Sequence, residues 1–371
     1  MLSVGADVHR RMYNVCILDA NGKEIKACFL RGGCEVLFKE LDKLKQPFAI
    51  CYEASFSYGY LHDRLRKMPQ CRRVAVAHPG ELRLIFRSKK KNDRVDARKL
   101  AKLLYLDEVP PVHVPSLDVR DWRGLIEFRR RLIDKRTRVK NALRSILATH
   151  GIDAPYGKSL WTKKGLAWLR EVELPTRSAD LRRELLLDEM KNLSPKVRKV
   201  ERELNAFGRK HPGVALLRTI PGVGPRTAEA IVAYLDDVKR FGSSKQVGSY
   251  FGLVPCQDQS ADKNRLGHIT RLGPPTPRKL LTEAAWQGIR HSPEIREFFE
   301  RIVGHDPDRR KIALIATAHW LLRVMFAMLR SGQACRFTKF ERKPRKSKGE
   351  RSAESDSASK TKEEAASPVA A

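Results

Sequence analysis

The feature that bears hardest on the fold is the N-terminal stretch LSVGADVHRRMYNVCILDANGKEIKACFL. Apolar and polar residues alternate there in three short runs, and Asn21-Gly22 supplies the favoured residues of a tight hairpin turn. The pattern predicts three antiparallel strands opening the fold. Beyond them, residues Gly33 to Lys45 are helical in period, Pro47 to Ser55 read as a buried strand, Tyr58 to Lys67 as a helix and Arg72 to Pro79 as another strand.

Three hairpin strands followed by alternating helices and strands is the order of a ribonuclease-H-like α/β domain. After the Pro-containing segment Val109 to Pro115, the runs DVRDWRGLIEFRRRLIDKRTRVKNALRSILATHG and LRRELLLDEMKNLSPKVRKVERELNAF interleave Leu and Ile with Arg and Lys at helical spacing. They predict a helical hairpin or coiled coil, with a plain helical bundle as the alternative. A second, mainly helical globular region is expected from about Ala215 to Met328. The tail from Arg342 has almost no large apolar residue and is expected to be disordered. The expected division is therefore residues 1–110, 116–211, 212–332 and a tail over 341–371.

Composition narrows the partners. A formal net charge of +31 with 42% hydrophobic residues describes a folding chain whose field attracts polyanions, nucleic acid first among them. A basic ribosome-associated or membrane-surface protein is the alternative. No apolar run approaches the roughly 18 residues of a membrane span and the N-terminus lacks a signal-peptide layout, so a soluble cytoplasmic protein, without a membrane partner, is expected. The seven cysteines are scattered with no C-x-x-C pair, which suggests neither a zinc site nor a disulfide framework.

Against that charge, the stretch KKKNDRVDARKL places Asp93 and Asp96 inside one of the most basic runs. On a helix, residues three apart lie about 5–6 Å from each other on one face. Asp7 falls at the end of the first predicted strand and Glu53 at the end of AICYE, a neighbouring strand in the proposed domain, so four carboxylates could converge. Like charges about 4 Å apart repel by roughly 4 kcal/mol at an effective dielectric of 20, a term that divalent cations reverse. Paired Mg²⁺ ions on carboxylates serve phosphodiester displacement. Each residue also has an ordinary reading: Asp93 favours a helix start, and Asp96 can pair with Arg94 or Lys99.

Farther on, LRTIPGVGPRTAEAIVAYL has a helix end, a Pro-Gly-Val-Gly turn and a second helix that includes Arg226. Gly222 and Gly224 permit close backbone approach, so amides at the helix start could grip a phosphate, as in a helix-hairpin-helix element; a tight turn between packed helices is the bland reading. A polar loop with Ser260 follows, then Lys263, Arg265, His268, Arg271, Arg278 and Lys279. A serine among phosphate-binding cations suggests nucleophilic attack on phosphorus, although serine is common in loops. His268 could be a base or a satisfied loop histidine.

The order GADV, YEAS, NDRVDA, then IPGVGPRTAEAIVAYLDDVKRFGSSKQVGSYFGLVP and a serine-containing basic loop, resembles the DEDD insertion-sequence transposases, described as bridge-RNA-guided recombinases. The resemblance extends to about residue 330. It implies a RuvC-like N-terminal domain with an acidic tetrad matched by Asp7, Glu53, Asp93 and Asp96, a coiled coil for assembly, and a C-terminal transposase domain whose serine matches Ser260, ahead of Ser243, Ser244 and Ser249. It further implies a Mg²⁺-assisted transposase that cleaves and rejoins DNA through a phosphoserine intermediate, a structured noncoding guide RNA, and a homo-oligomer, dimer or tetramer, with a composite active site. Gly222, Gly224, Arg226, Lys263, Arg265 and Arg271 are the nucleic-acid contacts expected. Where the family has a Ser-Ser-Gly-Gly-Lys-like loop, this chain reads Gln259-Ser260-Ala261-Asp262-Lys263, and Gly273-Pro274-Pro275 also departs from the pattern. A metal-dependent junction resolvase or nuclease, a degenerate nucleic-acid binder and an actin-like ATPase or sugar kinase are the alternative functions.

Overall fold

The computed structural model describes residues 1–55, 57–85, 93–155, 157–260 and 263–338. Lys89 to Asn92 of the basic run, Ala261 and Asp262 of the serine segment, and the tail over 341–371 lie outside the described residues. The chain divides into two compact units, residues 1–121 and residues 122 onward.

The first unit is built on a five-stranded mixed sheet in the order β3-β2-β1-β4-β5. β1 (Leu2–Val8), β2 (Met12–Leu18) and β3 (Glu24–Arg31) form the antiparallel meander. The turn between β2 and β3 contains Asn21-Gly22, with Gly22 at φ 77°. β4 (Phe48–Glu53) lies parallel to β1, and β5 (Cys71–Ala77) parallel to β4. Parallel neighbours need crossovers, supplied by α1 (Glu35–Asp42) and α2 (Tyr58–Leu65). α3 (Pro79–Ile85) and α4 (Asp93–Tyr105) follow β5.

Alternation sorts the sheet's residues into two layers. Val4, Ala6 and Val8 of β1 pack in one core with Leu37 and Leu41 of α1 and Leu61 and Leu65 of α2. On the other face, Ala49, Cys51, Ala75 and Ala77 meet Leu82 of α3 and Leu100, Leu103 and Leu104 of α4, while Cys16 and Leu18 meet Ala97 and Ala101. Gly5 belongs to this second face. A methyl group added to it would stand 2.1 Å from the Ala97 carbonyl oxygen and 2.3 Å from the Ala101 nitrogen, both backbone atoms. Helix and strand thus touch main chain to main chain.

Among its described residues, the second unit is helical apart from one hairpin. α5 (Leu117–Thr149), whose first turn belongs to the first unit, continues into it. α6 (Lys163–Glu171), α7 (Arg177–Lys210), α8 (Pro212–Leu217), α9 (Pro225–Leu235) and α10 (Ser244–Tyr250) come next. The hairpin β6 (Pro255–Ser260) and β7 (Lys263–Ile269) precedes α11 (Pro275–His291), α12 (Pro293–Val303) and α13 (Arg310–Ser331). α7 runs through Pro195 without ending. Trp122 of α5 stacks on Phe207 of α7, and Arg129 donates through Nε and Nη2 to Glu201 Oε1 at 2.8 and 2.6 Å.

Two local expectations change. The stretch around Ser260 is an antiparallel hairpin rather than a loop; its residues are largely exposed, so it carries no apolar alternation to announce a strand. The helix spanning residues 307–331 is long and apolar enough to cross a membrane, contrary to the expectation that no run approaches that length, but half of its apolar window is buried. Ala313, Leu321, Leu322 and Met325 are core residues of the second unit.

Gly5→Ala must push α4 off the sheet, because the contacts it meets are backbone. Hydrogen exchange of the full chain should show the α4 amides losing protection by about 1–3 kcal/mol, the usual cost of overpacking, with α7 unaffected. Equal protection of α4 in both proteins would contradict this account.

Candidate functional site

β1 carries Asp7 toward its C-terminal end, on the same face as Gly5. His9 follows two residues on, just past the strand. α4 begins at Asp93. His9 Nε2 lies 3.2 Å from Asp7 Oδ2 and 3.6 Å from Asp93 Oδ2. One ligand atom from each of the three residues falls within 4.8 Å of the others. The side chain of Asp7 is only 16% exposed, whereas those of His9 and Asp93 are 44% and 48% exposed, so the group is rooted in the sheet and open on one side.

Burial holds the Asp7 carboxyl above the usual aspartate range; the charges of Asp93 and Asp96 push the same way and His9 opposes them. A bound cation would relieve both the burial and the repulsion. Two carboxylates and an imidazole are a donor set that fits a divalent metal ion, the carboxylates suiting Mg²⁺ or Mn²⁺.

The other two expected carboxylates stand close by in the fold but outside this trio. The parallel register of β1 and β4 ends at Ala6 and Tyr52, and Asp7 and Glu53 are the next residues on each strand. Asp96 is one turn along α4 from Asp93; Lys99 donates to its Oδ1 at 3.3 Å, one of the ordinary pairings anticipated for it. Sequence reasoning missed His9. The signal was present in Asp-Val-His, because two residues along an extended chain return to the same side.

In the second unit the Pro-Gly-Val-Gly turn joins α8 to α9. Gly222 has φ 88°, and a methyl group there would stand 2.4 Å from the Gly288 nitrogen of α11, so helix packing requires this glycine. Gly224 is the N-cap of α9 and faces open space. Arg226 is turned inward: its Nη1 lies 3.0 Å from Glu229 Oε2 without completing an aligned hydrogen bond, and its Nη2 bonds Asn205 Oδ1. Its side chain is 16% exposed and that of Glu229 1%. Burial pushes the Glu229 carboxyl up to about 7 despite Arg226, Arg129 and Arg218 nearby.

On the hairpin, Ser260 and Lys263 are Cα partners at the last pairing of β6 and β7. Lys263 and Arg265 are exposed on β7, and Arg271, two residues past its end, is exposed with φ 55°. His268 Nδ1 lies 2.9 Å from the Ile269 carbonyl oxygen. Arg278 Nη1 donates to the carbonyls of Phe251 and Leu272 at 2.8 and 2.9 Å, and Lys279 Nζ is 3.9 Å from Asp134. Among the other serines, Ser243 stands at the N-cap position of α10 without a side-chain capping bond, and Ser244 Oγ accepts from Arg323 Nε at 3.2 Å.

Two measurements test this geometry. Titration with Mn²⁺ should show binding weakened at least about tenfold by Asp7→Asn and by Asp93→Asn, and less by Asp96→Asn; wild-type affinity in Asp7→Asn would dissolve the cluster. The second concerns Glu229. Its carboxyl binds a proton more tightly folded than at its ordinary 4.5, so stability falls as pH rises from there through about 7 and is level above. The drop in urea midpoint between about pH 5 and pH 8 should shrink in Glu229→Gln, and an unchanged drop would show that Glu229 ionises freely.

Residues 4–152 match the family model of the DEDD transposase of the IS110 type, described as a transposase. Residues 214–300 match the model of the Transposase IS116/IS110/IS902 family. Among curated proteins, a "Probable family 20 transposase" of Pseudomonas aeruginosa is 25% identical over 338 residues, covering 90% of this chain and 97% of its own. The "Transposase for insertion sequence element IS1111A" of Coxiella burnetii is 29% identical over 203 residues, 54% of this chain and 56% of that one. The "Transposase for insertion sequence element IS1328" of Yersinia enterocolitica is 28% identical over 236 residues, 63% of this chain and 70% of that one. The first model spans the acidic cluster and the second spans the glycine turn and the Ser260 hairpin, in that order along one chain, which therefore belongs to the IS110 family of DEDD transposases.

Proposed function

We propose that this protein cleaves and rejoins DNA at the ends and target of an insertion element. The observation that carries the reading is the convergence of Asp7, His9 and Asp93 at the end of the central strand in a chain of net charge +31. The strand order, with an antiparallel meander beside two parallel additions, favours a ribonuclease-H-like, RuvC-like domain for the first unit. Helices α5 and α7 then serve assembly into a homo-oligomer, and the remainder is the transposase domain with a helix-hairpin-helix-like contact at α8–α9.

Asp7, His9 and Asp93 would hold a divalent cation, Mg²⁺ in the cell, with Glu53 and Asp96 completing the acidic set. Bound there, the ion supplies positive charge against the scissile phosphate and makes a P–O bond easier to break. The chain's residues do the rest. Lys263 and Arg265 draw the strand onto the hairpin and offset charge that develops on phosphate oxygens. Ser260 is the nucleophile: its oxygen bonds to phosphorus as the bond to one sugar oxygen breaks, the serine proton is lost, and the released oxygen gains one. Rejoining reverses these transfers with a different sugar hydroxyl. A structured noncoding RNA selecting the target by base pairing fits the surplus of exposed cations. A soluble, cytoplasmic enzyme follows from this role.

The test is to incubate protein, Mg²⁺, element-derived RNA and element-end DNA, then probe for a protein–DNA adduct that survives denaturant. Wild type should form it, Ser260→Ala should not, and Asp93→Asn should lose at least about a hundredfold in rate, as expected for loss of electrostatic stabilisation, while keeping its fold. An adduct in Ser260→Ala refutes the nucleophile, and cleavage with no adduct in any protein replaces the scheme with metal-dependent hydrolysis.

A further inference from the structure

A cleft of about 400 Å³ opens between α11, α12 and the start of α13. It contains none of the residues of the acidic cluster or of the Ser260 hairpin. On α11, Trp286, Ile289 and Arg290 follow the i, i+3, i+4 spacing of one helical face; on α12, Arg296, Phe299, Glu300 and Val303 do the same. Arg310, the first residue of α13, completes the lining.

The chemistry of this lining is specific. The Trp286 and Phe299 ring centroids are 6.0 Å apart; Phe299 is buried, whereas Trp286 is 37% exposed. The Arg310 guanidinium lies 5.7 Å from the Phe299 centroid. Arg296 Nε donates to the Ile289 carbonyl at 3.1 Å, which fixes that guanidinium at the end of α11. Among the described residues Arg290 has no hydrogen-bond or ion-pair partner. Three arginines thus face a single carboxylate, Glu300, around an aromatic surface.

We propose that this cleft holds one unpaired nucleotide of a nucleic-acid strand, its base on Trp286 and its phosphate on Arg290 and Arg310. Every base has a π-face, so stacking on an indole captures single strands with little regard to sequence, and arginine adds both charge and a stacking plane. The volume lies within the range of about 300–1,000 Å³ common to small-molecule sites. A base within a duplex, stacked on both sides, cannot enter it. Glu300 is an acceptor, so it favours bases with an amino group, cytosine above thymine or uracil.

Binding of full-length protein to labelled short single-stranded DNA, RNA of the same sequence and the matching duplex, at fixed salt, tests the site. Trp286→Leu and Arg290→Gln should each weaken single-strand binding about tenfold, Trp286→Phe should keep most of it, and duplex binding should change less than about twofold. A strand carrying iodocytosine should crosslink to the peptide containing Trp286, and whichever of DNA or RNA binds more tightly names the strand. Arg290 is exposed, so Arg290→Gln keeps the test sound should Trp286→Leu fold poorly. Wild-type single-strand affinity in Arg290→Gln, or equal losses for single strand and duplex, would overturn the proposal. Competition by free cytidine monophosphate as effective as the strand itself would overturn it too. Element-end cleavage measured on the same preparations keeps this site separate from the proposed chemistry, since either can fail while the other holds.

Discussion

The contact of Gly5 with the backbone of α4 sets the geometry of the first unit's site. From Gly5 to Asp7 an extended strand advances about 6.6–6.8 Å, and from Ala97 back to Asp93 a helix advances about 6 Å. Two elements in main-chain contact at Gly5 and Ala97, running in opposite senses, therefore bring Asp7 and Asp93 to the same level. His9 closes the group from the strand's exit. Any side chain at position 5 would separate these levels by moving the helix outward. Opposing the arrangement is repulsion between carboxylates, roughly 4 kcal/mol for a close pair at intermediate dielectric. Favouring it, burial of Leu100, Leu103 and Leu104 along the same helix contributes roughly 1.5–3 kcal/mol each. The apolar face wins, and α4 stays seated with its acidic end in place.

That balance explains why a strongly basic chain keeps a small acidic pocket. The net charge of +31 raises the local concentration of polyanions and makes their binding sensitive to salt, but it cannot by itself orient a phosphate for reaction. A negative group rooted in the sheet, with Asp7 largely buried and Asp93 half exposed, concentrates cations at one point beneath that field.

Much of the first unit was legible because its signals are local. Asn21-Gly22 marked a turn, the period-two runs became β1 to β3, and the expected strands at Pro47 to Ser55 and Arg72 to Pro79 became β4 and β5 within a residue or two. Asp7 and Asp93 were legible as strand-end and helix-start residues. His9 was not, since its value depends on Asp93 arriving from far along the chain. The β6–β7 hairpin was hidden because PCQDQS and KNRLGHI lie on the surface and have no buried face to pattern. Gly222 illustrates an ambiguity of type: a glycine that admits a phosphate and a glycine that admits another helix look identical in sequence, and here the neighbour is Gly288.

Arginine shows the same limit at the scale of the whole surface. Arg123 donates to the carbonyls of Ala233 and Tyr234, and Arg240 to those of Tyr234 and Leu235, which satisfies the end of α9 where helical acceptors run out. Arg226 Nη2 bonds Asn205 Oδ1 and Arg278 holds the carbonyls of Phe251 and Leu272. These side chains count toward the net charge, yet their directional donors are committed inside the protein. A guanidinium that leaves such a bond to reach DNA strands a buried acceptor, at a cost of about 1–3 kcal/mol that a single phosphate contact must exceed. In the proposed reading, selective grip falls to cations without that commitment, such as Lys263 and Arg265 on the hairpin and Arg290 beside Trp286. The count of basic residues measures how strongly nucleic acid is attracted; the subset without carbonyl partners decides where it is held.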